Sequence, residues 1–180
     1  DICCTSSNAV AVVNSLPGDA VIFVPDKNLG TYVASLTGKK VFSWPGYCPT
    51  HHKITKASVL NLKKQNPGAV FMAHPECQPE VLEIADHICS TSGMYEYARL
   101  SKANVIIVGS EAGMLHRLSK DSPDKVFLLP SKDIICPNMK LTTLKKVYLS
   151  LKNKETKVVI EEPIRSQAQS SCERMMSILA

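Results

Sequence analysis

Short apolar runs of strand length alternate along the chain with stretches whose apolar residues recur at helical spacing. Ala20 to Val24, Lys40 to Trp44, Ala69 to Ala73, Asn104 to Val108, Lys125 to Leu129 and Lys157 to Ile160 read as strands, with Asp86 to Cys89 as a brief one. A first helix is expected after Ser6-Ser7-Asn8, with Val12, Val13 and Leu16 inward. A second is capped by Asp26 or Asn28, carries Leu29, Tyr32, Val33 and Leu36 at i, i+3, i+4 and i+7, and is closed by Gly38. Ile54 to Lys64 and Leu141 to Leu151 are amphipathic runs, and Pro79 opens a short helix with Val81, Leu82 and Ala85 inward. A last helix carries Ala168, Cys172, Met175, Met176 and Leu179 on one face. Strand and helix in alternation predict an α/β fold of parallel βαβ units.

The pattern also repeats. At a shift of about 84 to 88 residues, Asp1-Ile2-Cys3-Cys4-Thr5-Ser6-Ser7 lies over Asp86-His87-Ile88-Cys89-Ser90-Thr91-Ser92. Val21-Ile22-Phe23-Val24 lies over Val105-Ile106-Ile107-Val108, Lys40-Val41-Phe42 over Lys125-Val126-Phe127, and Cys48-Pro49 over Cys136-Pro137. The ordered matches predict an internal duplication, against the plainer reading that successive βαβ units resemble one another. Residues 1–48 are then an incomplete second unit, 49–136 a complete third unit, and 137–180 a C-terminal strand and helices expected to pack with a first unit that is largely missing. A pseudo-threefold ring of such units would carry a third Cys about 40 residues before residue 1.

Cys48 and Cys136 are the centre of the chemistry. Each follows a strand and precedes Pro and an amphipathic run, so each is expected at a helix N-cap, where the helix dipole lowers the thiol pKa. Three such cysteines converging would hold an iron–sulfur cluster with one iron open. Cys48 with His51 is also a C-x-x-H pair, a weak zinc pattern because structural zinc takes four N or S ligands. His74-Pro75-Glu76 stands at a strand end, where a rigid Pro spaces an imidazole from a carboxylate, giving a donor and a general acid or base in one loop. Thr5-Ser6-Ser7-Asn8 and Ser90-Thr91-Ser92-Gly93 are hydroxyl-rich turns suited to helix capping and to carboxylate or phosphate binding. Gly109-Ser110-Glu111-Ala112-Gly113 lacks the ending of a P-loop, so no nucleotide site is expected. Cys3, Cys4, Cys77, Cys89 and Cys172 are expected as buried small hydrophobes or incidental thiols.

Composition narrows the classes. With 180 residues, 44% of them hydrophobic, the chain can bury a core. A net charge of +5 spread without blocks, and only 6% aromatic residues, argue against nucleic acid and for a mild preference for anionic ligands. Seven cysteines fit no small secreted framework, so a reducing compartment is expected. No apolar run approaches the ~20 residues that span a bilayer. No membrane association and a cytoplasmic location are the expectations. The opening on Asp1, without Met, reads as a chain entered in the middle.

Taken together, Cys4-Thr5-Ser6-Ser7-Asn8-Ala9, Pro25-Asp26-Lys27-Asn28-Leu29-Gly30, Gly46-Tyr47-Cys48-Pro49-Thr50-His51, His74-Pro75-Glu76-Cys77, Ser90-Thr91, Gly113-Met114 and Cys136-Pro137-Asn138-Met139 resemble the quinolinate synthase family. The resemblance covers the whole chain. It implies three pseudo-symmetric three-layer αβα domains with small parallel sheets around a [4Fe–4S] cluster held by three Cys. By position, Cys48 and Cys136 match two cluster ligands, and Ser6, His74, Glu76 and Thr91 match residues that hold a dicarboxylate, with His51, Pro75 and Ser90 added to the pocket. Glu76 and His74 are the implied catalytic pair, with Glu76 as proton shuttle.

The implied activity is a transferase reaction of NAD biosynthesis. It condenses iminosuccinate, supplied by L-aspartate oxidase, with dihydroxyacetone phosphate, expelling phosphate and water to give quinolinate. Two departures accompany it. The N-terminal third of the family, with the first cluster Cys, has no counterpart in these residues, so the chain alone is expected to be inactive without a complementing segment; and Gly is usual where Cys89 stands. The alternative is a truncated non-catalytic α/β module that keeps the fold and an anion pocket.

Overall fold

The computed structural model describes residues 1–179, the last of these without its side chain. The chain divides into two compact units, Cys4–Ile135 and Asp1–Cys3 together with the chain from Cys136 onward.

Cys4–Ile135 is an α/β assembly built on two parallel sheets. Strands β1 (Ala20–Phe23) and β2 (Lys40–Ser43) form the smaller, in register from Ala20 opposite Lys40 to Phe23 opposite Ser43. Helices α1 (Ala9–Ser15) and α2 (Lys27–Leu36) cover one side of it, burying Ala9, Val13, Leu29 and Val33 with Phe23. Only one side of this sheet is buried, and alternate residues of its strands point to opposite faces. Ile22, Val24, Phe42 and Trp44 are 83, 59, 52 and 60% exposed.

The larger sheet has the order β4-β3-β5-β6, with β3 (Val70–Ala73), β4 (His87–Ile88), β5 (Val105–Gly109) and β6 (Val126–Leu128) all parallel. Its central strands are apolar on both faces, which parallel sheets require because helices cover both sides. Phe71, Ala73 and Ile107 pack with Ile54, Val59 and Val81, carried by α4 (Lys56–Gln65), α5 (Pro79–Leu82) and the turn before α4. Met72, Ile106 and Val108 pack on the other side with Met94, Ala98, Met114 and Leu118 of α6 (Thr91–Leu100) and α7 (Met114–Asp121). The result is three layers. Gly109 lets β5 close on β3, since a Cβ there would stand 2.8 Å from a ring carbon of Phe71 and 3.1 Å from the Cα of Ala73.

The helix expected across Ile54 to Lys64 begins later than predicted. Cys48 does stand at an N-cap with Pro49 first in the helix, but that helix, α3 (Pro49–His52), is a single turn. Thr55 is extended and its hydroxyl accepts the Ser58 N–H at 3.2 Å, starting α4 afresh.

In the second unit, α8 (Leu144–Asn153) is capped by Thr143 and preceded by a 3-10 turn at Met139–Leu141. Cys136 is therefore not a helix N-cap: Asn138 precedes the 3-10 turn, and the Cys136 carbonyl accepts the Lys140 N–H at 3.3 Å. Lys157 to Ile160 forms no strand. Val158, Val159 and Ile160 are 82, 72 and 50% exposed, and among the described residues no strand lies beside this β-branched run to form a ladder with it. Helix α9 (Ile164–Leu179) forms as expected, and the residues expected to share one face differ in burial, Cys172 and Met176 being exposed and Met175 half-buried. The side chain of Leu179 lies outside the described residues.

Candidate active site at the strand ends

The C-terminal ends of β1, β3 and β5 and the loop after β2 deliver the polar residues, as parallel α/β sheets do. After β3, His74 and Pro75 are buried and Glu76 is half-buried. The His74 N–H donates to the Gly109 carbonyl at 3.1 Å and the Cys77 N–H to the His74 carbonyl at 2.9 Å, fixing the loop as a turn. After β2 the chain runs through Gly46 to Cys48 and α3, whose one turn brings Cys48 and His51 to the same side.

A thiol, an imidazole and a carboxylate converge there. One ligand atom each of Cys48, His51 and Glu76 lies within 4.8 Å of the others, a set that could hold a metal ion. His51 Nδ1 is 2.9 Å from Glu76 Oε2, close enough for an ion pair though off the line of a hydrogen bond. His51 Nε2 meets the Ser110 hydroxyl at 3.0 Å. The His74 ring stacks on His51 with centroids 4.3 Å apart and planes 12° from parallel.

The electrostatics follow from these contacts. Burial works against charge on His51, but Cys48 and Glu76 outweigh it and hold the imidazole up at about 9, so it is a cation at neutral pH. Hydrogen bonding from His51 in turn holds the Cys48 thiol below its ordinary range. The expectation from sequence holds in direction and in part in cause: the Thr50 and His51 backbone N–H groups at the start of α3 also lower the thiol, behind the larger effect of the His51 side chain. Glu76 is held below the usual carboxylate range, first by the His51 imidazole that faces it. His74 is pushed down by burial and by the His51 charge. As a neutral ring it accepts the Glu76 N–H at Nδ1, 3.3 Å away, so its 3.8 Å approach to Glu76 Oε2 is no ion pair.

Two further residues brace the cluster. Asp26, 5% exposed, caps α2 by accepting the Leu29 N–H at 2.8 Å and uses its other oxygen to accept the Cys48 N–H at 2.7 Å. Asn28, 3% exposed, donates from Nδ2 to the Glu76 carbonyl at 3.0 Å. In the sequence both stood as cap candidates and within the Pro25 to Gly30 stretch of the resemblance, with no role in the site, and Ser110 stood only within a rejected phosphate loop. Long-range contacts of this kind leave no local signal.

The hydroxyl turns meet beside Pro75. Ser6, Ser7, Val10, Tyr32, Pro75, Ile88, Cys89 and Ser90 line a cavity of about 240 Å³. Ser90 caps α6 at 3.4 Å from the Gly93 N–H, so the capping and pocket readings coexist. Thr91, the first residue of α6, is exposed and is not among the lining residues. Of the expected site residues, then, Ser6, Pro75 and Ser90 share one cavity, and Cys48, His51, His74 and Glu76 form one cluster. Cys136 belongs to the other compact unit, half-buried. Among the remaining cysteines, Cys77 is sealed in the core as expected, whereas Cys3 and Cys172 are exposed.

Comparison with known proteins completes the site. Residues 1–177 match the family model described as Quinolinate synthetase A protein. A quinolinate synthase of Geotalea uraniireducens is 52% identical over 178 residues, covering 99% of this chain and 59% of the relative. One from Methanosarcina barkeri is 50% identical over 177 residues, 98% of this chain and 58% of the relative. One from Dehalococcoides mccartyi is 49% identical over 179 residues, 99% and 59% respectively. The chain therefore spans less than two thirds of the length of these curated relatives. Among the described residues, no helix is long and apolar enough to cross a membrane.

Proposed function

The chain belongs to the quinolinate synthase family, and from that premise we propose that it supplies the part of a quinolinate synthase that binds the dicarboxylate and two of three cluster thiolates. The reaction is the condensation of iminosuccinate with dihydroxyacetone phosphate to quinolinate in NAD biosynthesis. The observation that carries this reading is the convergence of Cys48, His51 and Glu76 within 4.8 Å in a chain of this family. The non-catalytic module is not favoured, since a chain kept only for its fold has no use for a lowered thiol beside a buried imidazolium and a carboxylate.

The donor chemistry at Cys48 fits a thiolate-held iron centre: its thiol is held low by His51 and its backbone is anchored by Asp26. Cys48 and Cys136 would hold a [4Fe–4S] cluster with a third Cys from outside these residues. When bound, a cluster with one iron left open supplies Lewis-acid polarisation of a substrate oxygen or nitrogen. The protein residues do the rest. Ser6, Ser90 and Thr91 offer hydroxyls to substrate carboxylates, and neutral His74 offers Nε2–H. Pro75 keeps His74 and Glu76 at a fixed offset. Glu76, a carboxylate at neutral pH, takes or returns a proton at Oε2, with His51 Nδ1 2.9 Å away to share the charge. Iminosuccinate reaches the site from L-aspartate oxidase, and the seven cysteines without a disulfide framework support a cytoplasmic setting.

The test is a chimera in which this chain replaces the matching segment of the Geotalea uraniireducens relative, with iron and sulfide reconstituted anaerobically. Quinolinate formation is expected, with loss of the cluster absorbance in Cys48→Ser and in Cys136→Ser. Glu76→Gln is expected to keep the cluster and lose about 10²-fold or more in rate. A folded chimera that forms neither cluster nor quinolinate overturns the reading. The 180-residue chain alone is expected to show no turnover.

A further inference from the structure

Outside the candidate active site, one pair of cysteines stands apart from the others. Cys3 and Cys172 lie 169 positions apart in the sequence, yet their Sγ atoms are 3.9 Å apart and both residues are exposed. Their backbones are held together independently of the sulfurs. The Cys3 N–H donates to the Ser171 carbonyl at 3.2 Å, and Arg174 Nη1 donates to the Asp1 carbonyl at 3.1 Å. Rotation about the two Cα–Cβ bonds is thus the main adjustment between contact and a covalent S–S distance of about 2.05 Å.

From this juxtaposition we infer that Cys3 and Cys172 are a redox-active pair that closes into an intramolecular disulfide by exchange with a small-molecule disulfide of the glutathione class. The Cys3 thiolate attacks one sulfur of the oxidised reagent, breaking its S–S bond and releasing one thiol, and leaves a mixed disulfide on Cys3. The Cys172 sulfur then attacks the Cys3 sulfur and releases the second thiol. Two protein thiols are oxidised, one reagent disulfide is reduced, and the two protein thiol protons end on the released thiols. Both sulfurs are exposed, and the same steps with the two cysteines exchanged balance equally, so either can be the entry point. The closed bond ties the first three residues to α9. It is the kind of long loop closure that restrains an unfolded chain most.

The experiment equilibrates the 180-residue chain anaerobically with oxidised and reduced glutathione at a series of ratios, quenches with an alkylating agent, and maps the peptides. Expected are a Cys3–Cys172 cross-linked peptide in a monomeric chain, its loss at reducing ratios, and a higher urea midpoint for the oxidised form. Cys172→Ser should leave glutathione on Cys3 and abolish the difference in midpoint. Overturning results are alkylation of both residues at every ratio, stable glutathione adducts on each without the cross-link, or disulfides only between chains or with other cysteines.

Discussion

Replacing Asp26 by Ala probes how far a helix cap and the placement of Cys48 are one problem. The carboxylate is buried and both oxygens are engaged, one by the Leu29 N–H at 2.8 Å and one by the Cys48 N–H at 2.7 Å. Loss of a side-chain N-cap costs about 1 kcal/mol. Leaving the Cys48 N–H without its acceptor adds about 1–2 kcal/mol, the lower part of the range because Cys48 is only half-buried. The sum is roughly 2–3 kcal/mol. Asp26→Asn keeps one carbonyl oxygen but turns an amide donor toward the other N–H, so about half the loss should remain. Urea unfolding followed by circular dichroism measures the cost, and the alkylation rate of Cys48 in the folded chain reports whether its loop has loosened. An Asp26→Ala variant within about 0.5 kcal/mol of the parent, with an unchanged Cys48 rate, would refute the idea that one carboxylate governs both.

Other expectations rest on different parts of the molecule. Near neutral pH, iodoacetamide should modify Cys48 ahead of Cys89 and Cys77, since His51 holds the first low while burial pushes the other two up to about 11 and about 12. Because the thiolate fraction falls as the pKa rises, raising the pH toward 9 should narrow the gap for Cys89 and leave sealed Cys77 slow. His51→Ala should slow Cys48, and peptide mapping that finds Cys77 modified as fast as Cys48 contradicts the assignment. Phe71, fully buried between β3 and α4, should cost about 3–5 kcal/mol on change to Ala, read as a fall of roughly 10 °C in Tm. A loss below about 1 kcal/mol would mean that this side of the sheet repacks freely.

Much of the scaffold can be read from local pattern. The β-branched run at Val105–Gly109 and the apolar run at Val70–Ala73 are central parallel strands, and His74-Pro75-Glu76 falls at the strand end where it was expected. Asp26 and Thr55 cap helices by ordinary side-chain chemistry, but only Asp26 was legible as a cap because it precedes an unbroken apolar period. The failures share one cause, which is dependence on neighbours that a window of sequence does not contain. Val158 to Ile160 has the composition of a strand and, among the described residues, no strand to pair with, and Met176 keeps helical spacing on an exposed face. The lowered Cys48 thiol was anticipated from the helix N-terminus alone: the Thr50 and His51 N–H groups do lower it, but the largest effect comes from the His51 side chain three residues on. Ser110 and Asn28 could not be assigned from spacing, since each acts on a residue about 50 positions or more away.

The missing side chain at Gly109 reaches further than its own strand. Its α-carbon is the bearing on which the two middle strands of the larger sheet ride, with a phenyl ring pressed against one side. A methyl group placed there would pry the strands apart at the end that carries the imidazoles. The next residue along, whose hydroxyl meets His51, would be carried off with it. Tolerances of a few tenths of an ångström in the hydrophobic layer are in this way converted into the alignment of the His51–Ser110 contact, so the core of this protein sets the geometry of its candidate site.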